Sequence, residues 1–164
     1  MSKNLIIRPA IPTDVPVILF FIRELAEYER LAHEVVGNEA ELAKWLFGEH
    51  PVARVLIAEY QGEPAGFALF FLNFSTFLAK PGIFLEDLFV RPAVRGKGIG
   101  KALLKELVKT AAQEGYGRVE WAVLDWNTQA IDFYRSLGAS PMSDWTIFRL
   151  NSAAINSLAR DDKN

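Results

Sequence analysis

Residues 85–104 read LEDLFVRPAVRGKGIGKALL. Leu85 to Val90 is mostly apolar and β-prone, and Arg91-Pro92 ends it, because proline has no amide to give to a ladder. Arg95-Gly96-Lys97-Gly98-Ile99-Gly100 follows. Ile99, Leu103, Leu104, Leu107, Val108 and Ala111 then recur at the spacing of one buried helix face. A strand, a glycine turn and a helix in this order place Gly98 and Gly100 in the first helical turn, where each costs about 1 kcal/mol against alanine. An anion site accounts for that cost. Without Cβ atoms a phosphate can approach the backbone, the first helical amides lack internal acceptors, and the helix dipole favours negative charge. Arg95 and Lys97 add positive charge at the same place. A tight turn with close helix packing is the competing explanation. Two other phosphate motifs do not fit. A P-loop ends in Gly-Lys-Ser/Thr, whereas this run continues Gly100-Lys101-Ala102, and in G-x-G-x-x-G the third glycine would come one residue later.

On the N-terminal side, Leu5-Ile6-Ile7 predicts a first strand closed by Arg8-Pro9. Thr13 or Asp14 is placed to cap a helix starting near Pro16, with Ile18, Phe21, Ile22, Leu25 and Ala26 on one face. Asn38 and Glu41 have capping-box spacing and open a short helix through Phe47. Arg54–Tyr60 and Ala65–Asn73 predict a hairpin around Gln61-Gly62-Glu63-Pro64, and Ile83–Val90 a further strand. Beyond the glycine-opened helix, Gly115 and Gly117 stop it, Arg118–Leu124 predicts a strand, and Asn127–Leu137 a helix with Gly138 just past its end. Trp145–Leu150 predicts a last strand, Ser152 the cap of a weak helix, and Asp161–Asn164 a frayed end. The order β-α-α-β-β-β-α-β-α-β predicts a single mixed α/β domain over residues 1–164.

Composition narrows the function. At 51% hydrophobic the chain can fill a core, and a net charge of −2 gives no basic footprint for nucleic acid. The absence of cysteine removes disulfides and thiolate metal sites. The two histidines, His33 and His50, lie far from any His-x-x-x-His spacing, so no metal centre is expected. MSKNLIIRPA has no long apolar stretch of a signal peptide, and no apolar run reaches the length of a membrane span. A soluble cytoplasmic protein, without nucleic-acid or membrane partners, is the expectation.

Arg95-x-x-Gly98-x-Gly100 after a buried strand resembles the cofactor signature of the GNAT acyltransferase superfamily. The resemblance extends over nearly the whole chain. It is closest to the diamine acetyltransferases, the spermidine/spermine N1-acetyltransferase group with its thialysine-acetylating relatives. The segments that carry it are ELAEYERL (24–31), FGEHP (47–51), FLEDLFV (84–90), RGKGIG (95–100), AVLDWN (122–127) and IDFYRSLGAS (131–140). The resemblance implies a mixed, mostly antiparallel central sheet with helices on both faces and acetyl-CoA as co-substrate. It implies that the strand Leu88-Phe89-Val90 lines the pantetheine arm, that Arg95 and the amides of Gly96, Lys97, Gly98, Ile99, Gly100 and Lys101 hold the pyrophosphate, and that Asn127 contacts the arm. It makes Tyr134 the general acid, places Glu86 at the amine as a base acting through water, and makes Tyr28 and Glu29 substrate contacts. Members of this kind are commonly homodimers, and an apolar terminal strand at Trp145–Leu150 would leave an edge to pair.

The residues themselves leave alternatives. Amine acetylation needs a neutral amine, donors for the thioester oxygen and a proton for the leaving thiolate. With no cysteine and no Ser-His pair, direct attack is expected rather than an acyl-enzyme. Tyr134 shares a spacing of three with Ile131 and Leu137, so it is also placed as a core aromatic. Glu86-Asp87 interrupts an apolar strand, and adjacent strand residues point to opposite faces, so one is expected at the amine and the other in a structural pair. Glu24, Glu27 and Glu29 also fit a solvated face, and Trp126 a packing residue. The polyamine enzymes carry an acidic residue and a tryptophan after the third strand, where this chain has Asn73-Phe74-Ser75-Thr76-Phe77. Their acidic insertion before the last strand is shortened to Ser143-Asp144-Trp145, where Asp144 is the candidate substitute contact. That turns the expectation from long polyamines toward short diamines or thialysine-like amino acids. A lysine or N-terminal acetyltransferase of proteins or peptides, and a non-catalytic acyl-CoA-binding module, are the other readings.

Overall fold

The hydrophobic run from residue 54 to residue 90 folds as three successive antiparallel strands that form the middle of a five-stranded sheet. The computed structural model describes residues 4–160. The strands are β1 (Leu5–Pro9), β2 (Arg54–Tyr60), β3 (Glu63–Ser75), β4 (Lys80–Val90) and β5 (Val119–Trp121), in spatial order β1-β2-β3-β4-β5. Among the described residues only β4 and β5 pair in parallel, as a strand–helix–strand connection requires. The helices are α1 (Val15–Tyr28), α2 (Glu39–Phe47), α3 (Ile99–Gln113), α4 (Thr128–Ser136) and α5 (Ser152–Leu158). The chain divides into two compact units, residues 1–124 and residues 125–164.

In the first unit both faces of the sheet are covered. Ile18 and Phe21 of α1 and Leu46 of α2 close over Val55, Ile57, Phe67 and Phe89, and the Phe21 ring stacks on Phe67 with centroids 5.7 Å apart. Ala58, Ala68, Phe70, Ile83 and Leu85 alternate with that set along the strands and so point to the other face. There α3 buries Ile99, Leu103, Leu104, Leu107 and Ala111. Val108, expected on that face, is 48% exposed at its edge. Gly66 allows β3 and β4 to close, since a Cβ there would collide with the Phe89 carbonyl.

Local chemistry explains several ends and corrects others. Asn38 caps α2 as expected, accepting from the Glu41 amide at 3.0 Å. Asp14 does not cap α1 with its side chain. It accepts from Arg8 at 2.7 and 2.9 Å and from the Ile11 amide, while Arg8 also donates to Glu59 at 2.7 Å, tying β1 and β2 to the start of α1. Arg8 holds the Asp14 carboxyl below its usual range. Gly98 is the residue before α3 rather than part of its first turn, and only Gly100 lies inside that turn.

The strand expected over Arg118–Leu124 stops at Trp121, which pairs with Leu85. β4 bulges at the next residue and turns away, so the ladder has nowhere to continue.

In the second unit, Gly138 stands just past α4 with φ 88°. The amides of Gly138 and Ala139 return to the Arg135 and Tyr134 carbonyls, the paired ending that favours glycine. α5 is capped by Asn151 rather than Ser152. Trp145–Leu150 is not a strand. Trp145, Ile147, Phe148 and Leu150 are all exposed, because β-prone residues become a strand only where a ladder partner exists and this segment has none among the described residues. The expected fraying of Asp161–Asn164 lies outside the described residues.

Candidate active site

The site in the first unit begins at an irregularity in β4. Phe70 pairs with Leu85 and Leu69 with Asp87, leaving Glu86 as an extra residue with no partner. Alternation resets across such a bulge. Asp87 shares the face of Leu69, and Glu86, one step beyond Leu85, is turned toward that face too. The expectation that the two carboxylates oppose each other therefore fails, and both stand on the side of α1.

Glu86 is exposed, whereas Asp87 is half-buried and makes no hydrogen bond or ion pair among the described residues. Burial, then Glu86, then Glu29 push the Asp87 carboxyl up to about 7. Burial also raises Glu29, the residue at which α1 ends. Three carboxyls from two elements thus converge, and Glu29 belongs to this cluster rather than to a solvated row.

Past Leu85, β4 keeps β3 on one side and has no strand on the other among the described residues, so Leu88, Phe89 and Val90 form an open edge. This edge leads through Arg91 and Pro92 to the glycine run. Gly96 and Gly98 both have left-handed backbones, φ 75° and 79°, which glycine adopts without strain. A Cβ on Gly98 would meet nothing within 4 Å, so the space in front of α3 is open. The first intrahelical bond runs from the Ala102 amide to the Gly98 carbonyl, which leaves the amides of Ile99, Gly100 and Lys101 ahead of any internal acceptor. A Cβ on Gly100 would reach Val90 Cγ2 only at 3.7 Å, an ordinary contact, so close packing does not explain that glycine. The residues present fit an anion as large as a diphosphate.

The basic side chains are less free than the sequence suggests. Arg95 Nε donates to the Val90 carbonyl at 2.9 Å, and its guanidinium lies 4.9 Å from the Tyr28 ring centroid and 5.8 Å from that of Phe89. Lys97 Nζ lies 5.2 Å from the Tyr60 ring centroid. The positive end of α3 itself is left open to an anion.

In the second unit, the Asn127 side chain accepts from the Ala130 amide at 3.2 Å and so caps α4. Tyr134 lies seven residues on, two helical turns along the same face, half-buried and tilted against Phe133 with centroids 5.4 Å apart. Asp144 is exposed in irregular chain, and Trp126 is 47% exposed. No group of acidic or histidine side chains among the described residues could hold a metal ion.

Asp87, expected from the sequence in a structural pair, has no such pair among the described residues. A bulge has no sequence signature, although two carboxylates with no basic residue between Ile83 and Val90 are a signal. The aromatic seat of Arg95 is invisible without the fold, because Tyr28 and Phe89 are far from it in sequence or on another element.

Residues 20–139 match the acetyltransferase (GNAT) family. The chain is 39% identical to a thialysine N-epsilon-acetyltransferase of Bos taurus, over 93% of this chain and 96% of that one. It is 36% identical to an L-ornithine N5-acetyltransferase of Arabidopsis thaliana, over 93% of this chain and 86% of that one. Among solved structures it resembles an integron cassette protein of V. cholerae, with a TM-score of 0.81 and 28% identity over 97% of this chain and 99% of that one. A sheet bulged at Glu86 and a helix opened by Gly98 are thus the frame of a known kind of transferase: the chain belongs to the GNAT acetyltransferase family, and it is an N-acetyltransferase.

Proposed function

We propose that this chain, acting as one domain, carries acetyl from acetyl-CoA directly to the primary amine of a small diamine or of a diamino acid related to ornithine and thialysine. The observation that carries this reading is the convergence of Glu29, Glu86 and Asp87, in which the half-buried Asp87 makes no ion pair among the described residues. A buried carboxylate without a partner is costly, and a cationic amine entering beside it removes that cost.

The chain's own groups then divide the work. The amides of Ile99, Gly100 and Lys101, with Gly96 and Gly98 keeping side chains out of the way, hold the diphosphate. The open edge Leu88-Phe89-Val90 offers backbone groups to the pantetheine arm, with Asn127 as a further contact. Acetyl-CoA supplies the activated acetyl group. Glu86 and Asp87 take the proton of the entering ammonium, and Asp87, with its carboxyl near 7, is the member matched to that task at neutral pH. The neutral nitrogen attacks the thioester carbon, the carbon–sulfur bond breaks, the Tyr134 hydroxyl gives its proton to the leaving thiolate, and the second proton released by the new amide nitrogen returns through water to restore that hydroxyl. Tyr28, Glu29 and Asp144 contact the far end of the amine.

A homodimer fits the exposed Trp145, Ile147, Phe148 and Leu150, and sedimentation tests it. Among the described residues no helix is long and apolar enough to cross a membrane, and the cytoplasm is the proposed location. The test of function is thiol release from acetyl-CoA with L-ornithine, thialysine, L-lysine, putrescine and spermidine beside lysine-containing peptides. Turnover of a free amine well above every peptide supports the reading, and turnover of peptides alone overturns it.

A further inference from the structure

Arg95 opens the glycine run, yet its side chain is turned back from the start of α3. Its Nε bond to the Val90 carbonyl pins it to the end of β4, and its guanidinium faces Tyr28 at the end of α1. Phe89, its second aromatic neighbour, lies 5.7 Å from Phe21, seven residues before Tyr28 and therefore on the same face of α1. The next residue after Tyr28 is Glu29, whose charge acts on Asp87.

α1 ends sharply at this point. The amides of Arg30 and Leu31 return to the Glu27 and Ala26 carbonyls, and Arg30 takes φ 62° where this kind of ending favours glycine. A non-glycine residue in that conformation is held there by its surroundings. The end of α1 is thus a defined, mildly strained structure, and Arg95 rests on its last turn.

We infer that Arg95 is a positioning residue through which binding of acetyl-CoA at the glycine run orders the end of α1 that carries Tyr28 and Glu29. This rests on the proposed cofactor site. A diphosphate on the amides of residues 96–101 fixes the loop that bears Arg95. The guanidinium is then fixed against Tyr28, and the helix end is stiffened before the amine arrives. An amine that meets an already ordered contact gives up less conformational entropy, so the two substrates bind with positive coupling, equal in both directions. Lysine cannot replace arginine here, because a compact ammonium cannot both donate in plane to the Val90 carbonyl and lay a flat face on a ring.

The experiment is amide hydrogen exchange at Arg30 and Leu31, without and with saturating coenzyme A, alongside calorimetry of coenzyme A binding. It is done on the wild type, Arg95→Lys and Tyr28→Leu. In the wild type coenzyme A should slow exchange of these two amides by about fivefold or more. Tyr28→Leu, which leaves the glycine run untouched, should bind coenzyme A as the wild type does, and in both variants the slowing should disappear at saturating coenzyme A. Coenzyme A bound to all three proteins with equal slowing, or with none in the wild type, overturns the inference while leaving the cofactor site standing. A wild type that does not bind coenzyme A overturns the cofactor site and this coupling with it.

Discussion

Asp87 stands opposite Leu69 in the ladder between β3 and β4, and the next pair along is Phe70 with Leu85. The residue left between the pairs, Glu86, is what turns two sequence neighbours toward one side of the sheet and brings Asp87 under the influence of Glu29.

From that placement follows a pH dependence. Asp87 keeps its proton up to about 7, so turnover at low amine concentration should rise as pH passes through that value. Asp87→Asn should remove this limb and lower kcat by about a hundredfold. Stability should move the other way. Between the ordinary value of 3.8 and about 7 the folded chain holds a proton that the unfolded chain has released, so stability falls as pH rises across that window. At pH about 8 the asparagine variant should therefore be more stable than the wild type, by on the order of a few kcal/mol at most, with the difference gone below the lower value. Urea unfolding at the two ends of the range measures it. A stability difference between the two proteins that does not change across the window would show that the Asp87 carboxyl keeps its ordinary value.

Gly98 can be tested without breaking the fold. Its φ of 79° is one that asparagine tolerates, and a Cβ there meets no protein atom within 4 Å. Gly98→Asn should melt within a few degrees of the wild type but bind acetyl-CoA at least about tenfold more weakly, because the new side chain occupies the space in front of α3. Calorimetry decides this, and undiminished affinity would assign the glycine to the turn alone.

Tyr134→Phe removes one oxygen from a half-buried ring and leaves its packing against Phe133 in place. Turnover should fall by about a hundredfold while the Kd of acetyl-CoA stays within about twofold, since a proton donor to the thiolate matters only as the bond breaks. Equal turnover in the two proteins would return Tyr134 to the core.

Gly66→Ala tests the close approach of β3 to β4. Its Cβ would collide with the Phe89 carbonyl, which is backbone and cannot swing aside. The variant should lose about 2–3 kcal/mol of stability. Because the strand that must move is the one expected to line the acetyl-CoA arm, the KM for acetyl-CoA should rise in the fraction that remains folded.

Much of the fold was legible because local signals agreed with the final contacts. β2 was readable to the residue, Asn38 capped the helix its spacing promised, and Gly138 took the left-handed position after α4. The failures cluster where a partner strand decides. Trp145–Leu150 has the β-prone residues of a strand and no ladder, and Val123 and Leu124 lost theirs when β4 turned away at Glu86.

The sequence alone determined the family and the turn proposed to hold the anion: Arg95-x-x-Gly98-x-Gly100 lies at a strand-to-helix junction, and both the turn and the helix dipole are local consequences of those residues. Only the tertiary structure decided which charges do what. It turned Asp87 to the face of Glu86, buried it beside Glu29 until its carboxyl titrates near 7, and seated Arg95 on Tyr28. The reason is that charge energetics depend on burial and on distances between elements, and neither is encoded in the spacing of residues along the chain.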